Sequence, residues 1–184
     1  MSKPDGTHEN LFSYGPVRAL HAAATPVPGY ELHVHEFIRR DVLLALRDAL
    51  SADADILTTM PNTGLQNLLS PLTRQCLWEL HSGIMLRLLE NITGIKNLLP
   101  DTHCKQSCLL PRGEAFAKNP AARDSDTGLH ASLVLLLLLD NGDAIIRNLS
   151  VPSSAGRTIG TDEASADKKN VMKIVYWTHQ AASP

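Results

Sequence analysis

Seven consecutive aliphatic residues, Leu133 to Leu139, stand between Ser132 and Asp140, and Asn141-Gly142 follows at once. Such a run is far too short to cross a bilayer, which takes about 20 apolar residues in a helix. The Asn-Gly pair is a strong turn signal. An apolar run of strand length that ends in a turn predicts a central strand covered on both faces. A short buried helix is the alternative, because leucine forms helices well. The chain is long enough for either. Its 184 residues, 43% hydrophobic and 20% charged, make one soluble globular domain with a core of its own.

Before this run the apolar residues fall at helical spacing, and after it they alternate. Residues 1–25 are polar, then rich in Pro and Ala, and read as a flexible N-terminal arm ahead of a single domain over 26–180. Between Tyr30 and Phe37, Leu32 and Val34 alternate with His33 and His35, which predicts a short strand. Asp41 is placed to cap a helix carrying Val42, Leu43, Leu46 and Leu50. Thr58 to Gly64 reads as a loop, with Pro61 and Gly64 as breakers. Leu72, Cys76, Leu77 and Leu80 mark a second helix. Ser82 is placed to cap a third, with Ile84, Met85, Leu88, Leu89 and Ile92 along it and Gly94 as its stop. Ala144 to Ile146 gives a further strand, Val151 to Asn170 an irregular loop, and Val171 to Thr178 an alternating closing strand. Helices first and strands after them predict an α+β fold.

Charge and cysteine usage narrow the functions. Seventeen Lys+Arg against nineteen Asp+Glu give a net charge of −2, with no basic excess to neutralise a phosphate backbone, so no nucleic-acid partner is expected. Behind Lys3 there is no apolar signal core, so a cytoplasmic protein without a membrane partner is expected. Three cysteines do not look like a disulfide framework. Cys104 and Cys108 flank a three-residue gap beside His103, but zinc needs a second pair of ligands, and Cys76 with a distant His is a poor one. Buried or incidental thiols in a reducing compartment are the expectation.

Four segments carry a likeness to one family, in the family's order. Pro26-Val-Pro-Gly-Tyr-Glu-Leu-His-Val-His-Glu-Phe-Ile resembles its opening strand. Leu86-Arg-Leu-Leu-Glu-Asn-Ile-Thr-Gly-Ile-Lys-Asn-Leu-Leu-Pro-Asp resembles its helix and "LTGI…LIPD" turn, the most specific of the four. Leu129-His-Ala-Ser-Leu-Val-Leu-Leu-Leu-Leu-Leu-Asp-Asn-Gly resembles its "RLNLLLYLN" central strand, and Val171-Met-Lys-Ile-Val-Tyr-Trp-Thr its last strand, "SLALYYYT". Over roughly residues 26–178 the chain therefore resembles the bacterial branch of the prolyl-4-hydroxylase-type iron(II)/2-oxoglutarate oxygenases. That likeness implies a double-stranded β-helix (jelly roll) core with supporting N-terminal helices.

The family's chemistry needs a His-x-Asp pair and a later His to hold iron with open positions. The pair would follow a strand over Gly113 to Lys118, and falls on Asn119 and Ala121 or, with a one-residue gap, on Pro120 and Ala122. An amide oxygen is a weak ligand, and Pro and Ala have none. No histidine occurs from Ala131 to Thr178, where the later ligand belongs. The resemblance therefore implies a degenerate site with no metal, and neither iron nor 2-oxoglutarate is expected as a cofactor. Lys168 and Lys169 occupy the place of the family's basic residue that pairs with the far carboxylate of 2-oxoglutarate. Substitute ligands are poor: Asp124-x-Asp126 with His130 reads as a surface turn, His33-x-His35 as surface or packed imidazoles, and His179 as exposed.

Two functions of different class follow. One is a metal-independent small-molecule enzyme of specialised metabolism, such as a cyclase or isomerase, using acid–base chemistry and positioning in the old pocket. Its candidate groups are Glu114, Lys118 and Tyr176 for catalysis and Lys168, Lys169 and Arg147 for a substrate carboxylate. Alternation would place Glu114, Phe116 and Lys118 on one strand face, and Tyr176 with Met172 and Ile174 toward the core, its hydroxyl wanting a partner. The other is a non-catalytic pseudoenzyme that binds or scaffolds. A true oxygenase with atypical ligands ranks last. The expected partner is a small molecule in the barrel, and a homodimer is left open.

Overall fold

The leucine run is the centre of a six-stranded sheet in which every pairing is antiparallel. The computed structural model describes residues 10–15, 31–59, 65–101, 107–117, 120–149 and 169–179. In chain order the strands are β1 (Glu31–Val34), β2 (Leu99–Pro100), β3 (Cys108–Pro111), β4 (His130–Leu138), β5 (Ala144–Asn148) and β6 (Lys169–Thr178). The helices are α1 (Arg40–Ala52), α2 (Ala54–Thr59), α3 (Pro71–Leu80), α4 (Gly83–Thr93) and α5 (Arg112–Ala117), with a 3-10 turn at Leu65–Leu68. The spatial order is β1-β5-β4-β6-β2, and β3 also pairs with β6. The fold is α+β, as its sequence pattern predicts.

Alternation along β4 feeds two apolar layers. Leu133, Leu135, Leu137 and Leu139 join Ala144, Ile146, Met172, Ile174 and Tyr176 beneath the helices. Val134, Leu136 and Leu138 point the other way, with Ile145, Val171, Val175 and Trp177, and Ala115 of α5 packs there. Each fully buried Leu or Ile contributes about 1.5–3 kcal/mol relative to exposure, so this strand alone is a large part of the driving force.

The helices cover the first layer by spacing. Val42, Leu46 and Leu50 fall four apart on α1 and are all buried. α3 starts at Pro71 with Ser70 as its cap, the hydroxyl accepting from Thr73 N, while Asp53 accepts from Ser70 N and Oγ at 2.9 and 2.8 Å. Burial works against ionising Asp53, but the hydrogen bonds from Thr73 and Ser70 outweigh it and hold the carboxyl below its usual value. Ser82 caps α4 and Gly94 stops it in the left-handed region at φ 76°, both as the sequence suggests.

The β4–β5 turn is fixed from both sides. Gly142 has φ 81°, and a Cβ there would sit 3.3 Å from Ile38 O. Its carbonyl accepts from Ile38 N at 2.8 Å. Asp143 accepts from Glu36 N at 2.9 Å and bonds His35 Nδ1 at 3.0 Å. The hairpin tip is thereby tied to the link between β1 and α1.

Four local expectations change. Residues 10–15 lie within the expected arm, yet Leu11 and Phe12 are core residues: Phe12 pairs with Ile38, and its ring sits 5.3 Å from that of Phe37. Two large apolar side chains inside a polar stretch are enough to seat that segment. Asp41 lies in the first turn of α1, not at its cap, where Arg39 stands and pairs with it. Thr58 and Thr59 end α2 where a loop was expected, while 60–64 lie outside the described residues. Gly113 to Ala117, expected as strand, belongs to helix α5. Arg112, Glu114, Ala115 and Ala117 are helix formers, and no β-branched residue among them favours a strand.

Leu135→Ala removes a fully buried side chain from β4 and is expected to lower the unfolding free energy by about 2–5 kcal/mol. Leu44→Ala, at a position 63% exposed, should change it by about 0.5 kcal/mol or less. Urea unfolding measures both, and equal losses would contradict the two-layer core.

Candidate functional site

The two sheet faces use their polar groups differently. On the helix side, the Tyr176 hydroxyl donates to Leu80 O at 2.8 Å, and the side chain is fully buried. Burial first, then Cys76 and Tyr14, raise its pKa well above the ordinary phenol value. Nearby, both carboxylate oxygens of buried Glu79 accept from Leu11 N, at 3.0 and 2.9 Å, and Gln75 Nε2 donates to Oε1 at 2.7 Å. Burial and this carboxylate push Tyr14 up to about 12, and the same two causes push the Cys76 thiol up. These groups lock the N-terminal segment and β6 onto α3. A phenol that keeps its proton and gives it to a backbone carbonyl is a structural group.

The opposite face is free of α1, α3 and α4 and carries charged side chains. Arg147 of β5 stands across from Glu31 of β1, and its Nε donates to Glu31 Oε1 at 2.8 Å. Its Nη1 donates to Phe116 O at 3.1 Å, and the guanidinium lies 5.1 Å from the centre of the Phe116 ring. Arg112 flanks the same ring at 5.8 Å and pairs with Asp140. Ion pair, carbonyl and ring together fix the orientation of Arg147. His33 lies 3.6 Å from Glu31 at the rim of this group.

Lys173 is the second cation on this face. Alternation puts it with Val171 and Val175, opposite Leu136 on β4 and Cys108 on β3. It is 6% exposed. Sequence reading passed over it, although a lysine inside an apolar alternation (Val171, Val175, Trp177) is itself a signal.

Short strands β2 and β3 share one edge of β6, and a polar clamp closes the gap between them. Asp101 accepts from Ser107 N at 3.1 Å and Ser107 Oγ at 3.0 Å, and that hydroxyl accepts from Val175 N at 3.2 Å. His81, ending α3, feels this carboxylate. Burial lowers its pKa below the usual imidazole value, and Asp101 only partly offsets that. Its Nε2 is shut from solvent without a hydrogen-bond partner among the described residues.

The expected site residues do not converge. Tyr176 lies on the face opposite Arg147 and Lys173. Glu114 is half-buried on α5, and in a helix it does not share a face with Phe116 two residues on. Lys118, Asn119 and Lys168 lie outside the described residues. Lys169 opens β6, paired in register with Pro111. Pro120 is buried, and Ala121 and Ala122 are exposed. None of these three has a side-chain donor for iron, so these described residues do not fit the metal that the family's chemistry needs. Asp124 accepts from Thr127 N and Oγ1, closing a surface turn, while His35 bonds Asp143 and His33 lies by Glu31. His179 is exposed, and Cys104 lies outside the described residues. Among the described residues no group of three or more His, Cys, Asp and Glu comes together to hold a metal ion. Nor, among them, is any helix long and apolar enough to cross a membrane.

Compared with known proteins, the chain matches no family model, no curated protein and no solved structure.

A buried neutral imidazole gives a pH signature. As pH falls through about 6.5 the unfolded chain takes up a proton that folded His81 refuses, so stability drops below that point until the lower folded value is reached. Urea midpoints from pH 7 to 5 should fall less steeply in His81→Gln than in the wild-type protein. Identical slopes would contradict a buried neutral His81.

Proposed function

We propose that this protein has a 2-oxoglutarate-oxygenase-like jelly-roll core and handles a small molecule beside Arg147, on the sheet face that carries α5, without iron, as a metal-independent enzyme of specialised metabolism. The observation that carries the reading is the fixed orientation of Arg147. At the positions where the resemblance implies iron ligands, Asn119 with Ala121 or Pro120 with Ala122 offer at most one weak amide donor, while β5 keeps Arg147 aligned by an ion pair, a carbonyl and a ring. An arginine fixed in this way suits the positioning of a polar substrate. Glu114, on the helix whose Phe116 stacks against Arg147, is the candidate acid–base group, with Lys118 four residues on in sequence. Tyr176 has no part in this chemistry, since its hydroxyl is committed to Leu80 on the other face.

A non-catalytic binding module is the second reading, favoured by the apolar character of Val134, Leu136, Leu138, Val171 and Val175 on that face. Both readings keep the cytoplasmic setting expected from the sequence.

Elemental analysis of the purified protein, with oxygen-uptake assays in Fe(II) and 2-oxoglutarate, tests the iron-free reading. Substoichiometric metal and no 2-oxoglutarate-dependent uptake are expected. One iron per chain with such uptake would overturn it.

A further inference from the structure

We propose that Asn141 is a latent site of self-modification: its side-chain amide is lost through a cyclic imide with Gly142, only when the β4–β5 turn opens, and the product docks that turn less well. The inference is independent of the functional reading above. The Gly142 nitrogen, once it gives up its proton, bonds to Asn141 Cγ. The Cγ–Nδ2 bond breaks, and Nδ2 leaves with that proton as ammonia. Water then opens the imide at either carbonyl, leaving aspartate or, with the chain rerouted through the side chain, isoaspartate. Water is consumed, ammonia is released, and nothing is oxidised or reduced. A glycine after the asparagine allows the least hindered attack, because it has no Cβ. This fold cannot exchange that glycine for a bulkier residue. Gly142 sits at φ 81°, and a Cβ would meet Ile38 O and Leu43 Cδ2, both at 3.3 Å.

The folded turn keeps both reacting groups engaged elsewhere. Gly142 is buried, and its N–H, the proton that must go, donates to Leu138 O at 2.8 Å. Asn141 is exposed, but its amide is held at both ends: Nδ2 donates to Asp143 Oδ2, and Oδ1 accepts from Asp143 N, each at 3.0 Å. The Asp143 carboxylate in turn accepts from Glu36 N, and the Gly142 carbonyl from Ile38 N. Protection of Asn141 and docking of the hairpin on the β1–α1 link therefore rest on one connected set of bonds. Once modified, the site cannot restore them all. The aspartate product puts a carboxylate where Nδ2 donates to Asp143 Oδ2, so a hydrogen bond gives way to like-charge repulsion. Isoaspartate lengthens the backbone by a methylene inside a turn that the Gly142–Leu138 and Leu138–Asp143 hydrogen bonds close.

Ageing of the full chain at mildly alkaline pH tests this, with peptide mapping by mass spectrometry to find acid and isoaspartate at position 141. The folded protein should lose the Asn141 amide about tenfold or more slowly than the chain unfolded in urea at the same pH. That slowdown should equal the protection of the Gly142 N–H from hydrogen exchange, because both need the same opening. Asp143→Ala removes the acceptor that holds Asn141 Nδ2 and Glu36 N, and should speed the loss several-fold while urea unfolding shows the chain still folded. If that variant does not fold, the match between exchange and amide loss in the wild-type protein decides alone. Asn141→Asp, the product with an ordinary backbone, should exchange faster at the Glu36 and Ile38 amides. Equal rates of amide loss in folded and unfolded wild type would overturn the inference. So would loss faster than the Gly142 amide opens, no acceleration in a folded Asp143→Ala, or unchanged exchange at Glu36 and Ile38 in Asn141→Asp.

Discussion

A strand whose side chains from Leu133 to Leu138 are apolar on both faces cannot sit at an edge or on a surface, and β4 imposes that condition on everything around it. Its backbone groups pair with β5 on one side and β6 on the other, so no polar main-chain atom in its centre is left in the apolar interior. Its odd-numbered leucines require the helices, and its even-numbered residues require cover on the other face. The Asn141–Asp143 turn then docks on the β1–α1 link, which fixes how α1 approaches the sheet. Capping of α3 by Ser70 and its anchor on Asp53 set the next helix against α1.

The two layers divide the chemistry as well as the hydrophobic surface. Under the helices, Tyr176 donates to Leu80 O, Glu79 accepts from Leu11 N and from Gln75, and burial raises the phenol pKa values of Tyr14 and Tyr176. Those groups stabilise and are spent in doing so. The other face carries Arg147, aligned by Glu31 and Phe116, and Lys173, set among the valines of β6.

Much of this was legible in the residues. The Leu133–Leu139 run, the Asn-Gly turn, the Ser82 cap and the Gly94 stop are local signals, and local signals survive folding. Alternation in 171–178 also indicates that Tyr176 points inward and that its hydroxyl needs a partner, which Leu80 provides. What the residues concealed was non-local. Nothing near Leu11 announces that Glu79, 68 positions away, will accept from its amide. The resemblance implies a strand over Gly113 to Lys118, whereas the helix propensity of Arg112–Ala117 prevails. That change separates Glu114 from Phe116 and removes the shared face on which the catalytic grouping depended. Lys173 was visible in the pattern, but as a break in an alternation whose meaning depends on what lies across β3 and β4.

Native-state hydrogen exchange tests the double burial of β4 most directly. The amides of Leu133 to Leu138 should exchange only through global unfolding, with protection free energies equal to the unfolding free energy from urea titration. Exchange of these amides through local openings, at protection no higher than that of the α5 segment, would contradict the placement of the leucine run at the centre of the sheet.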